Sequence, residues 1–245
     1  MKKKRRLWIK LIIGLLLVFI GPVAILLLAY VFTNSDAQPN NIATVMDFEG
    51  YDFEKQSAVN PYGDYHFYYN QWVETDIASN PDPIEDGIIN LPQSWAGRRI
   101  QRNGETQRIG RDGYASYKMT MVNLKPGTEI SFAFQDCGTP YQIYLNHHLV
   151  YQPYFLSKAK NKSRKIDTVR RSFKVDDTGI VDMVIEVGND YVGGLANIPK
   201  LTSKSYSSYQ QSAIIALIFS MVGICIAMLA VSIIIFVADF RSHFQ

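Results

Sequence analysis

The chain has 245 residues, 47% of them hydrophobic, and a net charge of +3 from 25 Lys+Arg and 22 Asp+Glu. The positive excess sits in the first ten residues, MKKKRRLWIK, which hold six basic side chains; residues 33–210 carry 18 basic against 21 acidic. Two long stretches carry no charge at all, which excludes one soluble core running through the whole chain.

Taken in chain order, residues 1–10 form the basic tip, which stays cytoplasmic by the positive-inside rule. Residues 11–32, LIIGLLLVFIGPVAILLLAYVF, are an uncharged run of 22. About 20 apolar residues cross the hydrocarbon layer as a helix, so this is predicted transmembrane helix 1. The tip and run also resemble a signal peptide, with small residues at Ser35–Ala37. The run is longer than a usual signal core, and an uncleaved anchor is expected. Residues 33–45 read as a polar linker.

The polar stretch that follows is large enough for one core. Short alternating strands recur in it. YHFYY (65–69) sets Tyr65, Phe67 and Tyr69 on one face, and SYKMTMV (116–122) does the same with Tyr117, Met119 and Met121. EISFAF (129–134) aligns Ile130, Phe132 and Phe134; YQIYLN (141–146) aligns Tyr141, Ile143 and Leu145. VDMVIEV (181–187) closes the series with Val181, Met183, Ile185 and Val187. Period-two runs broken by Gly, Pro and Asn indicate an all-β sandwich or barrel over residues 46–201. The last strand runs into Gly188, Gly193 and Gly194, which reads as a corner crossing the end of the sandwich, where glycine permits close backbone approach. A ligand-lining role for that loop is compatible with the corner.

Residues 202–211 form a second linker. Residues 212–238, an uncharged run of 27, are predicted transmembrane helix 2, and 239–245 a cytoplasmic tail. In this helix Ala213, Ala216, Ser220, Gly223, Ala227 and Ala230 recur at spacings of 3 and 4. That places these six small residues on one stripe, where helix backbones pack closely against a membrane partner.

The stretches YGDYHFYYNQWVETD (62–76), INLPQSWAG (89–97), GYASYKMTM (113–121), YQIYLNHHLV (141–150) and VIEVGNDYVGGLANIPKL (184–201) follow a familiar order. Together they resemble the extracytoplasmic jelly-roll (galactose-binding-like) domain of bacterial seven-transmembrane receptors with diverse intracellular signalling modules. The resemblance implies an all-β jelly-roll sandwich, carbohydrate-binding-like, here flanked by two transmembrane α-helices. This chain departs from those receptors in having two hydrophobic runs, not seven. It also has Asn146-His147 where an Asn-Gly turn is usual, which puts a histidine at positive φ.

Chemistry-bearing motifs are missing. There is no GxSxG, HExxH, GxxxxGK[ST] or CxxC, so no catalytic residue, cofactor or metal is expected. His147 and His148 sit side by side in a predicted turn, the exposed place for them. Eleven carboxylates lie between Asp36 and Asp86, but nothing singles out a catalytic pair. Cys137 falls in the outer domain and Cys225 in helix 2, so they do not pair; an exported domain without a disulfide points to a bacterium.

Tyrosines of the strands, such as Tyr65, Tyr117 and Tyr141, are expected in the core. Trp95, Tyr114 and Tyr191 lie in loop-like segments and, with Gly193 and Gly194, are the candidate ligand-binding residues. The stretch 157–174 holds eight basic residues and one acid. It reads as a solvated loop or, through Lys158, Lys160, Lys162, Arg164, Lys165, Arg170 and Arg171, as a site for an anionic surface polymer or lipid headgroups. Nucleic acid is not an expected partner.

The combined expectation is a non-catalytic accessory subunit of the bacterial cell membrane, with both termini cytoplasmic. It guides a cell-surface glycan for a complex making or exporting polysaccharide, with a partner such as a glycosyltransferase held through helix 2. The rival expectation is the ligand-sensing front of a signalling receptor acting with a separate cyclase or kinase.

Overall fold

The computed structural model describes residues 39–53, 58–102, 104–133, 137–189 and 192–203, together with helical residues 215, 218–224, 226, 227 and 231. The predicted helix 1 and much of predicted helix 2 lie outside the described residues, and among the described residues no helix is long and apolar enough to cross a membrane.

Among the described residues, the regular elements of the domain are all strands. The first seven are β1 (Asn40–Ile42), β2 (Val45–Asp47), β3 (Gly63–Tyr69), β4 (Ile88–Leu91), β5 (Arg99–Arg102), β6 (Glu105–Arg108) and β7 (Ala115–Val122). Then follow β8 (Glu129–Phe132), β9 (Tyr141–Leu145), β10 (His148–Phe155), β11 (Arg164–Arg170), β12 (Phe173–Lys174), β13 (Val181–Val187) and β14 (Leu201–Ser203). The main sheet runs β1-β2-β7-β13-β9-β10-β11, and β3 also pairs with β7, with β4 beyond it. One edge of β7 is shared: Ala115–Lys118 take β3 antiparallel, and Thr120–Val122 take β2 parallel. A smaller sheet, β12-β8-β14, is prolonged by Val59, which exchanges two 2.8 Å backbone bonds with Leu201.

The inward-facing sets predicted for the strands are buried, with Phe134 lying outside the described residues. Tyr65, Phe67 and Tyr69 of β3 are buried, as are Tyr117, Met119 and Met121 of β7. Their partners on β9 and β13 are Ile143, Leu145, Met183 and Ile185, all sealed from solvent. Ile130 and Phe132 of the small sheet and Leu201 join the same core. Each such apolar side chain contributes about 1.5–3 kcal/mol on burial, which is what fixes the register: a one-residue slip exposes the whole set.

The β9–β10 turn is the predicted two-residue one. Asn146 and His147 have φ of 43° and 68°, the double positive-φ geometry whose twist suits a hairpin. Asn146 Oδ1 accepts the Asp182 amide at 2.7 Å, and His147 lies at the surface with Nδ1 2.9 Å from Glu74.

Three expectations are corrected. Linker 33–45 contains β1 and the start of β2, because Asn40–Ile42 pair with Val45–Asp47. Linker 202–211 begins inside β14, where Thr202 and Ser203 are buried. The basic stretch 157–174 is not a loop throughout: Arg164–Arg170 form β11, the edge strand paired with β10.

Candidate functional site

The glycine-rich end of the domain is held by backbone crossings. Gly193 O accepts the Trp95 amide at 2.9 Å and the Ser94 hydroxyl at 2.7 Å, and Gly194 bridges to Ser94. A Cβ on Gly193 stands 2.7 Å from Arg111 O, and one on Gly194 stands 2.7 Å from Gln93 O. Both glycines are therefore required for close approach of three chain segments. The corner is structural, and both glycines are buried.

Trp95, expected as an exposed ligand contact, is instead wholly buried at 0% exposure. Its ring packs on Phe67, Tyr69 and Tyr117 at centroid distances of 6.1, 6.0 and 6.4 Å. The Pro92–Trp95 segment looks like a loop in sequence, yet the bonds of Ser94 and Trp95 to Gly193 turn the indole inward. Tyr191 lies outside the described residues.

Tyr114 is half-buried and does offer a ring at this end. It meets Trp72 edge-on at 5.2 Å. The Lys158 ammonium sits 5.3 Å from the Trp72 centroid and 5.4 Å from that of Tyr114, and pairs with Asp76 at 2.6 Å. The bond to Asp76 is the main reason the Lys158 ammonium titrates above its ordinary value. Trp72 is itself buried, so of the two rings Tyr114 is the one that reaches solvent; a cation beside a ring at an exposed site contributes about 0.5–1 kcal/mol. Asn189 ties this end together, accepting the Gly113 amide at 3.0 Å and donating to Lys158 O at 3.0 Å.

Behind the rings, the segment 72–80 is pinned to the outer face of the main sheet by Glu186. This carboxylate is 0% exposed and accepts the amides of Glu74 (2.7 Å) and Thr75 (3.0 Å), the Thr75 hydroxyl, and Gln142 Nε2 at 2.8 Å. Burial raises its carboxyl above the ordinary value, against the lowering effect of those four donors. Trp72 Nε1 donates to Val187 O at 3.0 Å, so the same strand holds the indole. Beyond that segment, Arg102 grips Asp86 with two bonds of 2.9 and 2.8 Å.

No family model matches the chain, and no curated protein matches it. Two solved structures resemble it, both of beta-glucosidase from Kluyveromyces marxianus. The Se-Met labelled crystal form is 13% identical over 62% of this chain and 16% of that chain, with a TM-score of 0.29. The glucose complex is 12% identical over 70% of this chain and 19% of that chain, with a TM-score of 0.31. This chain thus spans less than a fifth of the length of those it matches.

The basic stretch divides in two. Lys158 is spent on Asp76, and Lys160 pairs with Asp112 at 2.7 Å. Lys162, Arg164, Lys165, Arg170 and Arg171 are exposed and have no carboxylate partner among the described residues. Of the small-residue stripe, Ser220, Gly223 and Ala227 are helical and exposed, and Gly223 has nothing within 4 Å of a Cβ position. Ala213, Ala216 and Ala230 lie outside the described residues.

Sequence reasoning missed Trp72, Asp76 and Glu186 as parts of this end. Nothing local marks them, because the contact between segment 72–80 and β13 spans more than a hundred residues.

Proposed function

We propose that the chain is a non-catalytic accessory subunit anchored in the bacterial cell membrane, with its β domain on the outer side. The domain is a carbohydrate-binding-like jelly roll that binds or guides a cell-surface glycan for a membrane complex making or exporting polysaccharide. The observation that carries this reading is the half-buried Tyr114 ring set against Trp72 with Lys158 across both. Flat rings with a polar edge suit sugar faces, and the neighbouring polar groups supply orientation. The two uncharged runs of 22 and 27 residues support anchoring, and the basic tip supports cytoplasmic termini.

The site is tested by Tyr114→Ala in the full chain, with glycan binding measured beside thermal unfolding. Loss of one stacking ring should weaken binding by about tenfold while leaving stability nearly unchanged. Unchanged affinity for every bound glycan sinks the assignment. Topology is tested with Lys160→Cys and His243→Cys in a chain lacking Cys137 and Cys225. The first should label from outside and the second only after permeabilisation; labelling of both from one side refutes the anchoring.

A further inference from the structure

Six of the basic residues between 157 and 174 remain after Lys158 and Lys160 are assigned to Asp76 and Asp112. Four of them, Arg164, Lys165, Arg170 and Lys174, stand on strands rather than in a loop. Arg164, Lys165 and Arg170 stand on β11, which pairs with β10 on one side and ends the main sheet. Two guanidiniums are held rather than free: Arg164 lies 5.4 Å from the Phe155 ring centroid and Arg170 5.8 Å from that of Tyr151. A ring beside a guanidinium restricts where the charge sits, and a guanidinium carries several N–H donors for an oxyanion. From Arg164 to Arg170 a strand extends up to about 20 Å.

The row continues past the strand. Arg171 donates its amide to Val150 O at 2.8 Å, and the chain then crosses to the small sheet, where Phe173 pairs with Ile130. This crossover opens a surface cleft of about 420 Å³ lined by His148, Arg171, Ser172, Phe173 and Lys174 among others. Its size falls in the range of small-ligand sites, about 300–1,000 Å³. His148 Nδ1 donates to Asn146 O at 2.7 Å, which leaves Nε2 as the other ring nitrogen. Acids nearby include Asp167 within β11, Glu129 opposite Lys174 across the strand pair, and Asp176 and Asp177 just beyond Lys174.

We infer that the β11 edge and the crossover cleft form a binding track for a linear polyanionic glycan, one bearing a phosphodiester or carboxylate on its repeating unit. The inference deepens the glycan-binding reading and rests on it, but uses a different surface from Tyr114. The cations at 162, 164, 165, 170, 171 and 174 give this edge an excess of positive charge that suits an extended polyanion, and Ser172 and Phe173 add a hydroxyl and a ring face for the sugar.

The test uses the full chain in phosphatidylcholine nanodiscs, with poly(glycerol phosphate), oligogalacturonate and neutral maltohexaose as probes. Arg170→Gln with Arg171→Gln should weaken binding of an anionic probe by about tenfold or more. Arg99→Gln with Arg108→Gln, the same charge change on the β5–β6 hairpin, should alter it by less than about twofold. Arg170→Lys with Arg171→Lys keeps the charge and should fall between. A preference for the phosphate polymer or the uronate identifies which anion the track takes. Equal losses in the two Gln doubles overturn the track in favour of net charge, as does binding confined to added phosphatidylglycerol vesicles. Binding of maltohexaose alone overturns the track but leaves the Tyr114 reading standing; binding of none of the probes counts against both.

Discussion

Replacing Trp95 by alanine removes the largest fully buried side chain of the domain. The indole contacts Phe67, Tyr69 and Tyr117, which are themselves core residues with no freedom to collapse into the gap. Such truncations cost about 3–5 kcal/mol. For a domain of this size, 1 kcal/mol moves the melting temperature by about 2–4 °C, giving an expected fall of about 6–20 °C. One feature reduces the figure. Trp95 Nε1 finds no acceptor among the described residues, and a buried unpaired donor already costs about 1–3 kcal/mol. Trp95→Phe removes that donor while keeping most of the ring, so it should cost less than about 2 kcal/mol. Thermal unfolding of the full chain, followed by near-UV circular dichroism, reads both variants. An alanine variant melting within about 2 °C of the parent refutes the core assignment. Loss of glycan binding at unchanged stability returns Trp95 to the surface.

Burial raises the Glu186 carboxyl, so between its ordinary value and the raised one the folded state holds a proton that the unfolded state has released. Stability should therefore fall as pH rises through that window, and Glu186→Gln should lack this slope; parallel urea midpoints from about pH 4 to 7 in both proteins overturn the claim. Gly194→Ala places a methyl 2.7 Å from Gln93 O at a φ of 139°, whereas Gly50→Ala meets nothing within 4 Å. The first should destabilise by about 3 kcal/mol or more and the second by about 1, a ranking read from denaturant midpoints. In the second hydrophobic run, Gly223→Ile with Ala227→Leu should abolish co-purification with a helix partner, while Ile224→Leu should not. Retention of the complex by the enlarged pair marks the small stripe as compositional.

The strands of the domain were legible in the sequence because period-two alternation is a local property. Tyr65 to Tyr69, Tyr117 to Met121 and Val181 to Val187 each announce a buried face without reference to any other segment. The Asn146-His147 turn was legible for the same reason: backbone preference at two adjacent residues decides it. The glycine corner too followed from residue type, since only glycine fits where a Cβ meets Arg111 and Gln93 backbone.

What the tertiary structure decided are the places where distant segments compete for one residue. Trp95 sits in a segment that looks like an exposed loop, and its burial depends on Ser94 and Trp95 bonding to Gly193, a hundred residues away. Lys158 and Lys160 are indistinguishable in sequence from Arg170 and Arg171, yet Asp76 and Asp112 neutralise the first pair and leave the second exposed on an edge. Glu186 alternates with apolar neighbours as any outward strand residue does. Its burial follows from segment 72–80 folding over β13 and supplying amide donors that a strand cannot supply to its own side chain. Alternation fixes which face a side chain takes, because it costs nothing beyond the strand itself; which of those faces water still reaches depends on what else the fold lays over it.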